Sequence, residues 1–162
     1  MLNHVLVPLD ESGFSECAIK YAQNIIAPDG KITLMTYVNL PGLAGYSPSV
    51  NLPQALLEDV KLDYARLTEE MIGHAKVYLQ NVAGRYPGSQ FATVVNSKAE
   101  NAAEAILEAA DELGVDAITI STHGRSGISR WVFGSVTQKV LSAATCPVFV
   151  IPYHCIEAED GC

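Results

Sequence analysis

The chain lacks the features that several classes of protein require. Its 162 residues contain no apolar run near the roughly 18 residues that cross a bilayer. The first ten residues have neither the basic start nor the small-residue cleavage site of a secretory signal. A net charge of −8 argues against a nucleic-acid-binding protein, because such binding depends on neutralising phosphates. These absences predict a soluble, cytoplasmic protein.

Cysteine is scarce as well. The four cysteines show no disulfide framework, so reduced thiols are expected: Cys17, Cys146, Cys155 and Cys162. His154 lies beside Cys155, but the spacing of these residues matches no known metal site, and the sequence predicts none.

Several motifs of phosphate and acyl chemistry are missing. The sequence contains no Gly-x-x-x-x-Gly-Lys-Ser/Thr loop, no Gly-x-Gly-x-x-Gly turn and no Gly-x-Ser-x-Gly elbow. Its four histidines show no pairing that suggests a triad or a metal. No catalytic residue is therefore predicted. If hydrolysis occurs, it is expected to be slow.

Acidic residues are absent from one long segment of this acidic chain. Residues 117–156 contain no Asp or Glu but include Arg125, Arg130 and Lys139. Burial of a strand and a helix explains the missing acids, but it does not explain two arginines in a loop. An anion-binding site explains both observations. Each arginine remains open to two interpretations, a phosphate contact or a solvated loop side chain.

The same segment contains a glycine motif between a strand and a helix. Ser121-Thr-His-Gly124 follows a short apolar run, and Gly134-Ser-Val136 precedes a helical pattern. A helix N-terminus offers free backbone N–H groups and a positive dipole end, and glycine lets an anion approach the backbone. The motif therefore predicts that a nucleotide or another phosphorylated ligand binds here.

Hydrophobic periodicity predicts five strands separated by four helices. The strands are expected at 2–9, 31–38, 91–95, 116–120 and 146–151, and the helices at 13–26, 54–83, 101–113 and 135–144. Strands that alternate with helices imply a doubly wound parallel sheet with helices on both faces. Residues 39–53, rich in Pro, Gly and Ser, are expected to form a lid or a mobile connection. Residues 1–152 are predicted to be one domain, followed by an acidic C-terminal tail at 153–162.

Strand ends predict where the ligand lies. In doubly wound sheets a ligand occupies the carboxyl ends of the strands, where the strand order reverses. Asp10 ends the first strand and Ser121 follows the fourth, so both face one crevice if these strands are neighbours. Asp10 has an alternative role as the cap of the following helix. His123 is open to a structural or a catalytic interpretation.

Over nearly its whole length the chain resembles the universal stress protein family. The resemblance rests on Val5-Leu-Val-Pro-Leu-Asp10, Asn101-Ala-Ala-Glu-Ala-Ile106, Ser121-Thr-His-Gly-Arg-Ser-Gly127, Gly134-Ser-Val136 and Cys146-Pro-Val-Phe-Val150. The family's ATP signature is Gly, two residues, Gly, nine residues, Gly, then Ser or Thr. Gly124, Gly134 and Ser135 match its last three elements with nine residues between the glycines, whereas Ser121 replaces the first glycine.

The resemblance implies a five-stranded sheet in the order 3-2-1-4-5, of the adenine nucleotide alpha hydrolase-like type. It also implies a homodimer that pairs through strand five, Cys146 to Ile151, and ATP accompanied by Mg²⁺ or Mn²⁺. The nucleotide-binding residues that it implies, with Arg125 added from the charge pattern, are Pro8, Leu9, Asp10, Val38, Ile120, Ser121, His123, Gly124, Arg125, Gly134, Ser135, Val136 and Thr137. Ser121 fits this site if its φ is negative and is strained if its φ is positive.

The sequence thus predicts an ATP-binding, nucleotide-responsive protein of the stress response. Two alternatives stay open. One is a nucleotide-independent dimer that binds a protein partner, and the other is a slow ATPase or self-phosphorylating protein. The preferred adenine nucleotide is also left open.

Overall fold

A computed structural model describes residues 1–39, 54–122 and 133–152. Within these ranges the chain forms five strands and five helices. In chain order they are β1 (Leu2–Leu9), α1 (Gly13–Glu16), α2 (Ala18–Ile25), β2 (Ile26–Tyr37), α3 (Gln54–Arg85), β3 (Gln90–Asn96), α4 (Ala102–Leu113), β4 (Ala117–Ser121), α5 (Ser135–Ala143) and β5 (Val148–Ile151). The expected lid at 39–53, apart from Asn39, and the expected tail at 153–162 fall outside the described residues.

The strands form one parallel sheet in the order β3-β2-β1-β4-β5, which confirms the prediction. Val5 of β1 lies between Ile32 of β2 and Ala117 of β4. The chain runs outward from β1 through β2 to β3 and then crosses to the other side of β1. The strand order therefore reverses between β1 and β4, which is where this class of sheet binds its ligands.

Two hydrophobic cores lie on opposite faces of the sheet. Side chains alternate along a strand, so neighbouring residues of β1 point to different faces. Val5 and Val7 pack in a cluster that includes Ile19 of α2 and Leu79 of α3. Leu6 belongs to the other cluster, whose members are drawn from α4, α5, β4 and the strands beside it. The sheet is therefore covered on both faces, as a parallel sheet must be.

Two differences from the sequence-based expectation exceed a shift of one or two residues at the end of an element. The predicted helix at 13–26 is divided into α1 and α2 at Cys17. Residues 28–30, which the sequence-based ranges leave between the first helix and the second strand, lie within β2 instead. Between Leu2 and His4 of β1 the partner positions on β2 advance from Ile26 to Lys31, so the intervening residues form an irregularity in the pairing. Regular pairing begins at Lys31, where the sequence places the start of the strand.

The thiols are only partly as expected. Cys146 is free, but the buried Cys17 is disulfide-bonded, so the expectation of a reduced thiol is wrong at that position.

Among the described helices, none combines the length and the apolarity that crossing a membrane requires.

At the amino end of the sheet, where the strands begin, side chains form hydrogen bonds with the backbone and with one another. Asp116 Oδ2 accepts hydrogen bonds from the backbone N–H groups of Asn3 and His4 at 2.6 and 2.9 Å. These bonds lower the pKa of Asp116. The His4 ring lies 2.8 Å from the Thr33 hydroxyl, measured from Nε2 to Oγ1. Burial, followed by the charge of Lys31, lowers the pKa of His4.

Candidate functional site

A cavity of about 260 Å³ opens at the carboxyl end of the sheet, beside the β1–β4 boundary. Its walls come from three strand ends and from the first turns of three helices. The lining residues are Pro8, Leu9, Asp10, Ser15, Met35, Tyr37, Ala102, Ile106, Ile120, Ser121, Thr122, Gly134, Ser135, Val136 and Thr137. The volume lies near the lower bound of small-molecule sites, and the position is the one expected for this sheet topology.

Most of the sequence-predicted site residues line this cavity. Those brought together are Pro8, Leu9, Asp10, Ile120, Ser121, Gly134, Ser135, Val136 and Thr137. Val38 is not among the lining residues, and it follows β2, which ends at Tyr37. Its backbone N–H donates to the Asn96 carbonyl oxygen at 2.9 Å. His123, Gly124, Arg125 and Arg130 lie outside the described residues.

Asp10 organises the turn between β1 and α1. Its Oδ1 accepts hydrogen bonds from the Ser12 N–H, at 3.1 Å, and from the Ser12 hydroxyl. Ser12 itself caps α1, because its hydroxyl oxygen accepts from the Ser15 N–H at 3.2 Å. Of the two roles considered for Asp10, the cap therefore belongs to Ser12, and the Asp10 carboxylate shapes the turn at the cavity wall.

The next residue, Glu11, has an unusual backbone. Its φ is 66°, and within the described residues it is the one non-glycine residue with positive φ. The left-handed region costs an ordinary side chain about 1–2 kcal/mol. Backbone strain of this kind is concentrated at functional sites, where the surrounding structure holds it in place. The strain lies directly beside Asp10 at the cavity.

Ser121, which replaces the first signature glycine, is free of such strain. It is the last residue of β4 and pairs with Ile151 of β5, so its backbone is extended. Its carbonyl oxygen accepts a hydrogen bond from the buried Thr137 hydroxyl at 3.2 Å. Serine is compatible with this backbone, and the condition for it to fit the site is met. The Thr137 hydroxyl proton is already donated to this carbonyl.

Gly134 is required for close approach. Its φ of −57° is open to any residue, but an added Cβ would lie 3.2 Å from the Thr122 carbonyl oxygen. That oxygen also accepts the Gly134 N–H at 3.3 Å. The start of α5 is thus held directly against the end of β4, and an added side chain would require the two to separate by a few tenths of an ångström.

The first turn of α5 lines the cavity. The helical bonding begins with Gln138 N–H donating to Gly134 O at 2.9 Å. Gly134, the N-cap, has no side chain to cap the helix. The N–H groups of a first helical turn have no partners within the helix and attract anions. Ser135, Val136 and Thr137, which line the cavity, provide these groups.

The opposite wall of the cavity is apolar, and its residues are not among those predicted from the sequence. Met35 and Tyr37 come from β2, and Ala102 and Ile106 from α4. The Tyr37 hydroxyl donates to Ala99 O at 3.2 Å, which fixes the ring against the wall. A signal was present, because each pair has the spacing that puts two residues on one face of its element. Ser15 and Thr122 were also missed.

A buried carboxylate joins the site to α3. Glu16 of α1, whose side chain is 11% exposed, accepts hydrogen bonds from Arg85 Nη2 at 2.7 Å and the Tyr78 hydroxyl at 3.0 Å. Burial and then the charge of Glu16 raise the pKa of Tyr78 above its ordinary value. These contacts fix α1, which carries Ser15 into the cavity wall. Among the described residues, no cluster of three His, Cys, Asp or Glu side chains could hold a metal ion.

Comparison with known proteins gives a consistent result. The profile of the Universal stress protein family matches residues 1–152. Universal stress protein YxiE of Bacillus subtilis is 28% identical over 160 residues, which cover 93% of this chain and 99% of the relative. The solved structure of MJ0577, whose curated sequence is from Methanocaldococcus jannaschii, has a TM-score of 0.68 at 22% identity and covers 93% of this chain and 95% of its own.

Two further solved structures of the same fold contain adenine nucleotides. A universal stress protein in complex with cAMP has a TM-score of 0.56, covering 93% of this chain and 97% of its own. The universal stress protein from Archaeoglobus fulgidus in complex with dAMP has a TM-score of 0.53, with coverages of 93% and 98%. Both are 20% identical to this chain, so what they show of this chain is its fold. By the family match over residues 1–152, the chain belongs to the universal stress protein family.

Proposed function

We propose that this protein binds an adenine nucleotide, ATP in the first place, in the cavity at the carboxyl end of the sheet. The observation that carries the proposal is the uncapped first turn of α5, which faces a cavity whose opposite wall is apolar. An anionic group is attracted to the first feature and a flat base to the second. Relatives of this fold that are complexed with cAMP and dAMP support the choice of adenine.

The proposed orientation follows from the two walls. The base packs between Tyr37 and Ile106, the ribose lies toward Asp10, and the phosphates meet the amides of Ser135 and Val136. The proposal also retains four contacts that the cavity lining does not include: the Val38 backbone, His123, Gly124 and Arg125. Arg125 would add a guanidinium, which is suited to phosphate oxygens.

We propose that Mg²⁺ or Mn²⁺ accompanies the phosphates. Such ions keep several waters and take few protein ligands when they bind with a nucleotide. Asp10 is the carboxylate in the described cavity lining and is the candidate protein ligand. Titration of ATP in the presence of EDTA or excess Mg²⁺ tests this point. Equal affinities in both would contradict a role for the cation.

The test of nucleotide binding has two steps. The purified protein is denatured, and any released nucleotide is identified by chromatography. The refolded or nucleotide-free protein is then titrated with ATP, ADP, AMP and cAMP by calorimetry. We expect a saturable signal for at least ATP at or below millimolar concentration. No released nucleotide and no binding heat at millimolar ATP would overturn the proposal and favour the nucleotide-independent alternative.

We also propose a homodimer that pairs through β5. This strand lies at the edge of the sheet and pairs with β4 on one side. Phe149, in its middle, is 39% exposed. Open strand edges invite pairing with another chain, and an edge lysine discourages it. Light scattering should therefore report a dimer for the native chain and a monomer for Phe149→Lys. An unchanged mass for the variant would contradict pairing through this strand.

The proposed role is a nucleotide-responsive module of the stress response. Slow hydrolysis or self-phosphorylation would use the same site, and turnover measured on protein freed of contaminating ATPases separates these activities from binding alone. The cytoplasmic location stays a prediction.

A further inference from the structure

A second depression adjoins the proposed nucleotide cavity. It is an open groove of about 630 Å³ between α4 and α5. Ser135, at the start of α5, lines both the cavity and the groove. On α4, Ala102 lines the cavity, and its neighbours Asn101 and Ala103 line the groove. The two spaces therefore meet at the N-termini of the two helices, where the phosphates are proposed to lie.

The groove has the length of a nucleoside. Along α5 its lining extends from Ser135 to Ala143, eight residues further on. At 1.5 Å per residue this is about 12 Å. Small side chains, Ala103 and Ala143, form part of its lining, so the two helices leave room between them.

The polar groups of the groove suit a sugar and a base. Gln138 presents a side-chain amide, which can both donate to and accept from the edge of a base. Glu104 Oε2 accepts from the Glu100 N–H at 3.0 Å, and a carboxylate has further lone pairs for ribose hydroxyl groups. Leu107 adds an apolar surface.

Lys139 supplies a positive charge at the same place. It lines the groove one turn after Ser135. No ion pair of Lys139 is found in the part of the chain that the structure describes. An ammonium group in this position can neutralise phosphates that pass from the cavity to the groove.

We propose that the groove binds the second nucleoside of a dinucleoside polyphosphate, whose first adenosine occupies the cavity. The proposal rests on the proposed nucleotide function of that cavity. A ligand of this class crosses from the cavity into the groove at Ser135. It places its phosphates at the first turn of α5 and at Lys139, and its second nucleoside between α4 and α5.

The test compares diadenosine tetraphosphate with ATP by calorimetry on the full chain. We expect the dinucleotide to bind at least about tenfold more tightly than ATP. Ser142→Trp, which fills the groove two turns from the phosphates, should remove this advantage and leave the ATP affinity within about twofold. Leu141→Trp is the matched control. Leu141 is a 40% exposed neighbour on the same helix that does not line the groove, and its replacement should change neither affinity.

The outcomes separate this inference from the proposed function. If ATP binds but the dinucleotide gains nothing, the groove does not receive a nucleoside and the inference is wrong. The same conclusion follows if Ser142→Trp and Leu141→Trp behave alike. Coenzyme A serves as a third ligand, and an equal gain for its pantetheine arm would contradict the choice of a nucleoside. If neither ATP nor the dinucleotide binds, the proposed function fails, and the inference fails with it.

Discussion

The two ends of the sheet differ in whether a side chain accepts the hydrogen bonds of their backbone N–H groups. At the amino end, one carboxylate, Asp116, accepts the N–H groups of Asn3 and His4. At the carboxyl end, the first turn of α5 begins at a glycine that has no side chain to cap it. Both ends belong to the same strands, β1 and β4, so the difference comes from the residues that flank them. N–H groups that donate to a side chain stabilise the fold, whereas N–H groups without a side-chain acceptor are available to a ligand.

Backbone strain follows the same division. Among the described non-glycine residues, the one positive φ, that of Glu11, lies at the carboxyl end. At the amino end, His4, Thr33 and Asp116 form ordinary hydrogen bonds. Mutations can test whether the two ends of the sheet differ in what they determine. Changes at the carboxyl end alter ligand affinity, and changes at the amino end alter stability alone.

The largest effect is expected for Gly134→Val. Its Cβ would crowd the Thr122 carbonyl oxygen at 3.2 Å and press the first turn of α5 away from β4. Loss of one or two hydrogen bonds to a charged phosphate, at about 1.5–3 kcal/mol each, predicts a fall in ATP affinity of roughly 100-fold. Calorimetry measures the affinity, and circular dichroism checks the fold. Gly73→Val on α3, where an added Cβ meets nothing within 4 Å, is the matched control and should leave the affinity unchanged.

The next effect is expected for Glu16→Ala. The variant leaves the Tyr78 hydroxyl without its acceptor and detaches α3 from α1. The free energy of unfolding should fall by about 2 kcal/mol, as measured by urea denaturation. Arg85→Ala should cost less, since the Tyr78 hydroxyl still donates to the Glu16 carboxylate and water can replace the 58% exposed Arg85 side chain. Equal losses for the two variants would mean that the carboxylate is not the centre of this contact.

A smaller effect is expected at Glu11, where two variants separate strain from side-chain contacts. Both Glu11→Gly and Glu11→Ala remove the carboxylate, but only glycine relieves a φ of 66°. The glycine variant should be more stable than the alanine variant by about 1 kcal/mol. Thermal unfolding of the pair measures the difference. If alanine is the more stable, the left-handed conformation of this residue is not present in solution.

The smallest effect is expected at the amino end, for Asp116→Asn. The pKa of Asp116 is lowered in the folded state, so its charge stabilises the fold above its unfolded pKa. This contribution is lost as the pH falls through the folded pKa. The native chain should therefore be more stable than the variant at pH 7 and equal to it in strong acid. ATP affinity should be the same for both, and a loss of affinity in the variant would contradict the division between the two ends.

The sequence was sufficient for the features that local chemistry determines. The strand at 2–9 and the stop of α4 at Gly114, which has a φ of 58°, follow from periodicity and from a left-handed cap. The position of the cavity, at the carboxyl end of the sheet beside β1 and β4, followed from topology. Whether Ser121 fits in place of the first signature glycine could not be decided from the sequence, because the sign of its φ depends on the pairing of β4 with β5.

Features that depend on contacts between distant segments were missed. The inclusion of residues 28–30 in β2 depends on the pairing of β2 with β1. The apolar wall of the cavity combines Met35 and Tyr37 of β2 with α4, and nothing in either segment alone indicates that they meet. The break at Cys17 also has no local breaker residue, because neither Gly nor Pro lies beside it.

Backbone amide chemical shifts test the comparison of the two ends most directly. In ¹H–¹⁵N spectra of the labelled protein, added ATP should shift the amides of Ser135, Val136 and Thr137. The amides of Asn3 and His4, which are already bonded to Asp116, should not move. Shifts confined to the amino end, or none at the start of α5 at millimolar ATP, would contradict the account.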